Sequence, residues 1–234
     1  MNNVILNGVN SNTIAGLIIQ ELPPISKPLM RTEIEEIDGR DGDIITKLGY
    51  SAYDKVMRIG LRNDSIINDV IKFFDSEGQV IFSNESDKYY RYKILDQIDF
   101  DRLLRYRTAD VTFHVQPFKY SATEQTLTKT SFPATVTNSG NTIAMPTLTI
   151  SGSGTIGIRL AGEWMFTIDM SNISQITIDT EKMEAYSATD GVLLNRRVTG
   201  DYTNFRLQVG SNSISKTGTG TLSQMQISNY SRWI

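Results

Sequence analysis

Short runs in which apolar and polar residues alternate constrain this chain more than any other feature of its sequence. The runs Met57–Leu61 and Val111–Gln116 each have an apolar side chain at every second position. This period of two places one set of side chains on each face of a β-strand. Between two short apolar runs near the start, Asn7-Gly8 predicts a tight hairpin turn. The sequence therefore predicts a mainly β fold.

The composition changes along the chain and indicates two domains. Residues 1–130 contain 16 basic and 19 acidic side chains, whereas residues 131–234 contain seven of each. The second part is rich in Ser, Thr, Gly and Asn, and its short apolar runs are joined by polar turns. That pattern is typical of a β-sandwich or barrel. We expect domains at 1–131 and 132–234, with strands near 145–150, 155–160, 164–168, 175–179, 205–209 and 224–230 in the second.

One segment of the first domain has the period of a helix. Apolar residues recur at helical spacing from Ile66 to Phe74, which predicts one amphipathic α-helix over about 65–77. Such a face most often covers the protein's own sheet, so we favour that role over an interface. The expected first domain is thus β-rich with one helix.

The composition excludes several kinds of site. With no Cys and one His, the chain has neither thiolate chemistry nor the paired imidazoles of common zinc sites. His114 lies on the polar side of an alternating run, which favours a surface role over catalysis. No phosphate-binding glycine motif occurs. We therefore expect no enzyme activity, no cofactor and no metal. The longest early apolar run, Ile14–Ile19, is far too short to insert into a membrane.

Two charged segments are the best candidates for contacts between subunits. Arg102–Arg107 is the densest basic cluster, but nearby aspartates largely cancel its charge, so ion pairs within or between subunits are favoured over nucleic-acid binding. The segment 33–61 has polar residues on both sides of a Gly-Arg-Asp-Gly turn and is expected to reach a neighbouring subunit. The candidate interface residues are Arg40, Asp41, Arg102, Arg105 and Arg107.

An alternative function is carbohydrate binding. A β-sandwich with exposed aromatic residues can stack a sugar ring, and the second domain has Trp164, Tyr186, Tyr202 and Trp233. Trp164, however, is followed by Met165-Phe166 in a strand pattern, so we expect it in the core.

Several ordered segments resemble the distal tail protein (Dit) family of siphophages that infect Gram-positive bacteria, including their prophage relatives. They share short turn, arginine and aromatic motifs that run nearly from end to end. These segments are Ile37–Asp43, Asp99–Arg107, Val111–Tyr120, Asn138–Asn141, Met145-Pro146, Gly152–Gly154, Gly200–Tyr202 and Ser231–Ile234.

The resemblance implies a structural hub in the virion tail tip that is assembled in the host cytoplasm. Its N-terminal domains would form a homo-hexameric ring, and its C-terminal domains would be galectin-like β-sandwiches. The implied partners are the tail tube protein, a tail-associated lysin or tail fibre protein, and receptor-binding proteins. DNA would pass through the ring without specific binding. In the alternative, the chain is a lectin-like accessory protein that recognises host cell-wall glycans.

Overall fold

The computed structural model describes residues 2–234, and for Ser65 only the backbone. The described residues form two compact units, one running up to Ala122 and including Ile234, the other Thr123–Trp233. This division lies before the predicted boundary near residue 132. The reason is a short strand, Leu127–Lys129, which pairs with a strand of the second unit. The predicted mainly β fold class is confirmed.

The first unit contains a large antiparallel sheet, with strand order β2-β1-β7-β8-β9-β6-β3. The described residues of the first unit form nine strands, of which β4 and β5 lie outside this sheet. They are β1 Val4–Leu6, β2 Val9–Asn10, β3 Leu17–Glu21, β4 Met30–Glu36, β5 Asp43–Tyr50, β6 Tyr53–Leu61, β7 Glu77–Phe82, β8 Lys88–Lys93 and β9 Thr108–Ser121. Asn7 and Gly8 both have positive φ between β1 and β2, as the predicted turn requires.

One face of this sheet forms the core of the first unit. Alternate residues of β9 are buried there, and Phe113 contacts the rings of Phe74, Phe82 and Tyr92 at centroid distances of 6.4, 5.4 and 5.3 Å. These edge-to-face contacts are the favoured arrangement of aromatic rings. Phe74 belongs to α1, Ile67–Phe74, which follows the 3₁₀ turn Asp64–Ile66. The predicted helix therefore covers its own sheet.

The helices differ from prediction in two respects. α1 ends at Phe74 and not near residue 77, because Glu77 already begins β7. A second helix, α2 Phe100–Tyr106, lies within the basic cluster, where the sequence predicted none. Asp99 caps it by accepting a hydrogen bond from the Arg102 N–H at 2.8 Å, and Arg107 ends it with φ of 61°. The first unit thus has two α-helices among its described residues.

The second unit is a β-sandwich of two five-stranded antiparallel sheets, ordered β10-β19-β12-β15-β16 and β11-β18-β13-β14-β17. Apolar side chains from both sheets, including Ile150, Ile176, Ile158 and Phe166, share one buried core. The ten strands of these sheets are β10 Leu127–Lys129, β11 Ala134–Asn138, β12 Thr147–Ser153, β13 Thr155–Leu160, β14 Glu163–Asp169, β15 Gln175–Asp179, β16 Glu184–Tyr186, β17 Val198–Gly200, β18 Gly210–Thr217 and β19 Thr221–Ser228. A last short strand, β20 Arg232–Trp233, follows β19 along the chain and belongs to neither sheet of the sandwich.

Among the described residues, four further 3₁₀ helices connect these elements. Three of them are Ser83–Glu85 in the first unit and Asn195–Arg197 and Tyr202–Asn204 in the second. A short 3₁₀ helix, Ser11–Thr13, follows β2. Within residues 2–234, neither α-helix has the length and apolar content that a membrane span requires.

Candidate assembly surfaces

The strands β4 and β5 form a hairpin that stands apart from the large sheet. Among the described strands they pair only with each other, in a two-stranded sheet whose register runs from Met30 opposite Tyr50 to Glu36 opposite Asp43. Most of their side chains are exposed on both faces. We call residues 30–50 the arm. An isolated two-stranded hairpin is only marginally stable in water, so the arm has the character of an element that needs a partner.

The bend of the arm is set by its glycines. Gly39 and Gly42 have φ of 82° and 80°, which residues with a side chain seldom adopt. Between them lie Arg40 and Asp41, two of the predicted interface residues, and both are exposed at the tip. The structure thus places this predicted pair at the far end of an extended element.

The arm also carries the net charge of the chain. Its six acidic residues are Glu33, Glu35, Glu36, Asp38, Asp41 and Asp43, and its three basic residues are Arg31, Arg40 and Lys47. The arm therefore has a formal charge of -3, which equals that of the whole chain, and the remaining acidic and basic residues balance. None of the six carboxylates forms an ion pair with any residue from 2 to 234. They are solvated charges without a local counter-ion.

One face of the arm is partly apolar. Ile34 and Ile45 are direct cross-strand partners, and they are 59% and 56% exposed. A surface that covered this pair would remove its apolar area from water, which is favourable. With Ile37 and Leu48 also exposed, and Leu29 exposed just before it, the arm presents more apolar surface than a free hairpin should.

The root of the arm is held by a buried lysine. The Nζ of Lys55 donates a hydrogen bond of 2.7 Å to the carbonyl of Pro24, and the Nδ2 of Asn84 donates one of 2.9 Å to Pro23. Lys55 is only 3% exposed, and burial lowers its pKa to about 8 although the nearby Glu85 carboxylate opposes this shift. These bonds fix the connector between β3 and the arm.

The predicted arginine cluster lies on and just after α2. Arg105 pairs with Asp101 one helical turn earlier, with Nε–Oδ2 at 3.0 Å, and both side chains are exposed. Arg107 forms a two-point ion pair with Asp64. Arg102 makes no ion pair with any other described residue. Two of the three arginines therefore pair within their own unit, and one remains available.

The two groups of candidate residues are not brought together within one copy. The arm leads directly into the Tyr53 end of β6, whereas α2 precedes Thr108, which pairs with Gly60 at the other end of β6. β6 has nine residues and spans about 30 Å. The arm that carries Arg40 and Asp41 and the helix that carries Arg102 and Arg105 are therefore attached at opposite ends of β6.

His114 lies at the solvent-facing side of the large sheet. Its Nδ1 is 2.7 Å from Oδ1 of Asp54, its direct partner across β6 and β9. Both side chains are partly exposed. The imidazole thus has a carboxylate neighbour in register, and its partial exposure agrees with the surface role predicted for it.

The prediction that Trp164 is buried is wrong. Its side chain is 49% exposed, because the register of β13 and β14 shifts at Met165 and turns Trp164 to the outer face, opposite Arg159. Its Nε1 donates to the Thr167 hydroxyl at 3.2 Å. The ring lies close to Gly200, where a Cβ atom would be 2.6 Å from Cη2. A half-exposed indole is thus held in one orientation on the sandwich.

Comparisons with known proteins identify the fold. No protein-family model matches the chain, and no curated protein matches it by sequence. Among solved structures, the Dit protein of phage SPP1 aligns over 100% of both chains with a TM-score of 0.68 and 14% identity. A chain of the phage P2 baseplate in its activated conformation with Ca aligns over 100% of this chain and 98% of its own, with a TM-score of 0.56 and 10% identity.

A second phage P2 baseplate structure, with Sr, aligns over 97% of this chain and 96% of its own, with a TM-score of 0.53 and 10% identity. The SPP1 protein is described as a paradigm of the hub adsorption apparatus in phages that infect Gram-positive bacteria. The chain therefore has a Dit-like fold over its whole length, as the sequence motifs predicted.

Proposed function

We propose that this protein is the structural hub at the distal end of a phage tail. Six copies form a ring that joins the tail tube to the tail-tip or baseplate apparatus for host adsorption. The single observation that carries this proposal is the alignment of the entire chain with the SPP1 Dit protein. The proposed partners are the tail tube protein, a tail-associated lysin or tail fibre protein, and receptor-binding proteins at the periphery.

The arm supports an assembly role. It is an exposed hairpin with unpaired carboxylates and uncovered isoleucines, so it has both the reach and the surface of an element that binds a neighbouring subunit. A contact between two different surfaces of identical subunits closes into a ring when the rotation is suitable. This also agrees with the predicted role of the hairpin around Arg40 and Asp41.

The charge distribution supports passage of DNA through the ring without specific binding. Affinity for DNA grows with the number of phosphates that lysine and arginine neutralise. The first unit has no surplus of basic residues, and its arm is acidic. A channel built from such units would not retain the phosphate backbone. The proposed hub acts in the virion tail, after assembly in the host cytoplasm, and catalyses no reaction.

The oligomeric state of the purified chain tests this proposal. Mass photometry and negative-stain microscopy should show a six-membered ring with a central channel. A matched variant in which residues 34–45 are replaced by Asn-Gly keeps the hairpin closed but shortens the arm. It should remain folded and lose the ring. A shortened variant that still forms rings would remove the arm from the assembly mechanism.

A second candidate function is the binding of host cell-wall glycans by the β-sandwich. The observation that favours it is the outward, fixed indole of Trp164, since an exposed aromatic face can stack on the apolar face of a sugar. A glycan array probed with the wild type and with Trp164→Ala tests it. Binding that is lost in Trp164→Ala but retained in Tyr186→Phe supports the lectin, and a blank array for the wild type contradicts it.

A cell-wall hydrolase would behave differently from both. It should release soluble wall fragments, and His114→Ala should abolish the release. We expect no release from the wild type, since the hub needs no proton transfer. Turnover that depends on His114 would contradict the proposed absence of catalysis.

A further inference from the structure

The two ends of β6 carry surfaces of complementary character. At the end where β6 begins, the arm presents unpaired carboxylates and exposed isoleucines. At the other end, where β6 stops and β9 starts, lie two arginines that make no ion pair within residues 2–234, Arg62 and Arg102. We call Arg62, Arg102 and Tyr106 the β6 end face. Surfaces at opposite ends of a unit are what a head-to-tail contact between copies requires.

Two facing carboxylates on the arm make the complementarity between the arm and the β6 end face more specific. Glu36 and Asp43 are direct cross-strand partners, and they lie on the same face as the pair Ile34 and Ile45, two residues along the strands. Like charges directly opposite each other destabilise a hairpin. Because no cation of the described chain pairs with them, a guanidinium from outside would relieve this repulsion.

The β6 end face offers that guanidinium beside an aromatic ring. Arg102 and Tyr106 are one helical turn apart on α2, and Tyr106 is 72% exposed. The neighbouring carboxylates are already engaged, since Asp101 pairs with Arg105 and Asp99 caps the helix. Arginine and tyrosine are the residue types that contribute most to binding energy at protein interfaces.

We propose that the arm of one copy docks on the β6 end face of the next copy. The Ile34–Ile45 pair packs against Tyr106, while Glu36 and Asp43 bind Arg102, with Arg62 adding positive charge. This inference rests on the proposed ring and names the surface that receives the arm. The docking buries the apolar pair and neutralises the facing carboxylates in one contact.

A charge exchange tests the docking in the full-length chain. One variant combines Glu36→Arg with Asp43→Arg, and a second combines Arg62→Glu with Arg102→Glu. Each should raise the concentration needed for assembly by about 30-fold or more, because each places like charges against each other. The four changes together restore opposite charges and should recover the ring, as measured by mass photometry at low salt.

A control carries the same change in charge on the other face of the arm. Glu33→Arg with Glu35→Arg, whose side chains alternate with Ile34 and Glu36, should leave assembly nearly unchanged. Circular dichroism shows whether each variant is folded. If both two-residue variants still form rings, the docking is wrong while the ring stands. Loss of the ring that the combined variant does not repair also contradicts the docking.

Disulfide cross-linking provides a second measurement that does not depend on charge. The chain has no cysteine, so Ile45→Cys with Tyr106→Cys introduces the sole thiols. Ile45 belongs to the arm and Tyr106 to α2, which are joined to opposite ends of β6. The disulfide requires Cα atoms within about 7 Å, so under the proposed docking it joins two copies. Oxidation should produce a ladder of covalent oligomers up to the ring. A wild type that stays monomeric up to its solubility limit, with no such ladder, overturns the docking.

Discussion

Lys55 places an ammonium group at the end of the core of the first unit. It lies 4.9 Å from the centroid of the Tyr90 ring, and the nearby Lys119 binds Oε1 of Glu85 at 2.6 Å. The Tyr90 hydroxyl donates to the other oxygen of Glu85 at 2.5 Å. Glu85 is thus the nearby carboxylate for two buried lysines, but it binds Lys119 directly. Lys55 is held mainly by the Pro24 carbonyl and by the faces of aromatic rings.

This arrangement predicts how stability depends on pH. Because burial lowers the pKa of Lys55 from 10.5 to about 8, the folded state releases this proton before the unfolded state does. The free energy of unfolding should rise between about pH 8 and about pH 10, by up to about 3 kcal/mol. Burial raises the pKa of Tyr53 and of Tyr90, which should reverse the trend at higher pH.

Urea unfolding followed by circular dichroism measures this dependence. Lys55→Met should flatten the curve between about pH 8 and about pH 10, whereas Lys27→Met, at an exposed lysine of the same unit, should leave it unchanged. An unaltered slope in Lys55→Met would assign the effect to another group.

Gly140 leads to a second prediction at the scale of one residue. Its N–H donates to Asn138 Oδ1 at 2.9 Å, and a Cβ atom there would lie 1.9 Å from the Arg232 carbonyl oxygen. Gly140→Ala should therefore lower the free energy of unfolding of the second unit by about 2 kcal/mol or more. Ser139→Ala, next to it but exposed, is the matched control. Equal stability of the two variants in urea would show that the turn can widen.

At the scale of an element, α2 depends on its cap. Asp99 supplies the oxygen that satisfies the Arg102 N–H, so Asp99→Ala should destabilise the first unit by about 1 kcal/mol. Asp99→Asn retains an equally good capping oxygen and should cost little. Urea unfolding of both variants measures these changes. A large loss of unfolding free energy in Asp99→Asn would show that the charge of Asp99 matters more than its capping hydrogen bond.

The sequence predicted elements where one pattern dominates. β6 and β9 could be predicted because apolar and polar residues alternate along them over many positions. α1 could be predicted because its apolar residues recur with a helical period. α2 has seven residues and a basic composition, so its period is too short to recognise. The cap at Asp99, three residues before Arg102, was the available signal.

The sequence prediction missed a strand with a polar composition and assigned a strand to a loop with an apolar one. β18, Gly210–Thr217, is mostly Ser, Asn, Lys and Thr, and it was not predicted. Residues 205–209 were predicted as a strand, but Leu207 forms only an isolated bridge to Ala144. Phe205 and Leu207 are buried there, so their apolar character reports burial and not strand structure.

Only part of the candidate assembly surfaces could be predicted from the sequence. The Gly-Arg-Asp-Gly turn located the bend of the arm, and the basic cluster marked the segment that contains α2 without predicting the helix. Two features depend on tertiary structure. Among residues 2–234, the arm strands form backbone pairs only with each other, and Arg102 is the one arginine of its cluster without an ion pair. Side-chain pairing across 43 residues, as between Asp64 and Arg107, leaves no local pattern in a sequence.

At the scale of the whole molecule, each unit has a core of its own. The buried residues of the first unit come from the large sheet and from both α-helices, and most of those of the second come from the two sheets of the sandwich. A fragment of residues 123–234 should therefore fold cooperatively as a monomer, and the assembly contacts should remain with residues 1–122. Circular dichroism melting and mass photometry of the two fragments test this. Ring formation by the sandwich fragment would contradict the assignment of assembly to the first unit.

β6 links the arm to the surface that receives it, and this has a geometric consequence. Eight successive residues of β6 are held in register against β9, so the strand has little freedom to bend or twist. Under the proposed docking, the angle through which one copy is rotated relative to the next is set by that strand. The number of copies that completes a circle is then a property of strand twist, while the contact residues determine only how tightly each copy is held.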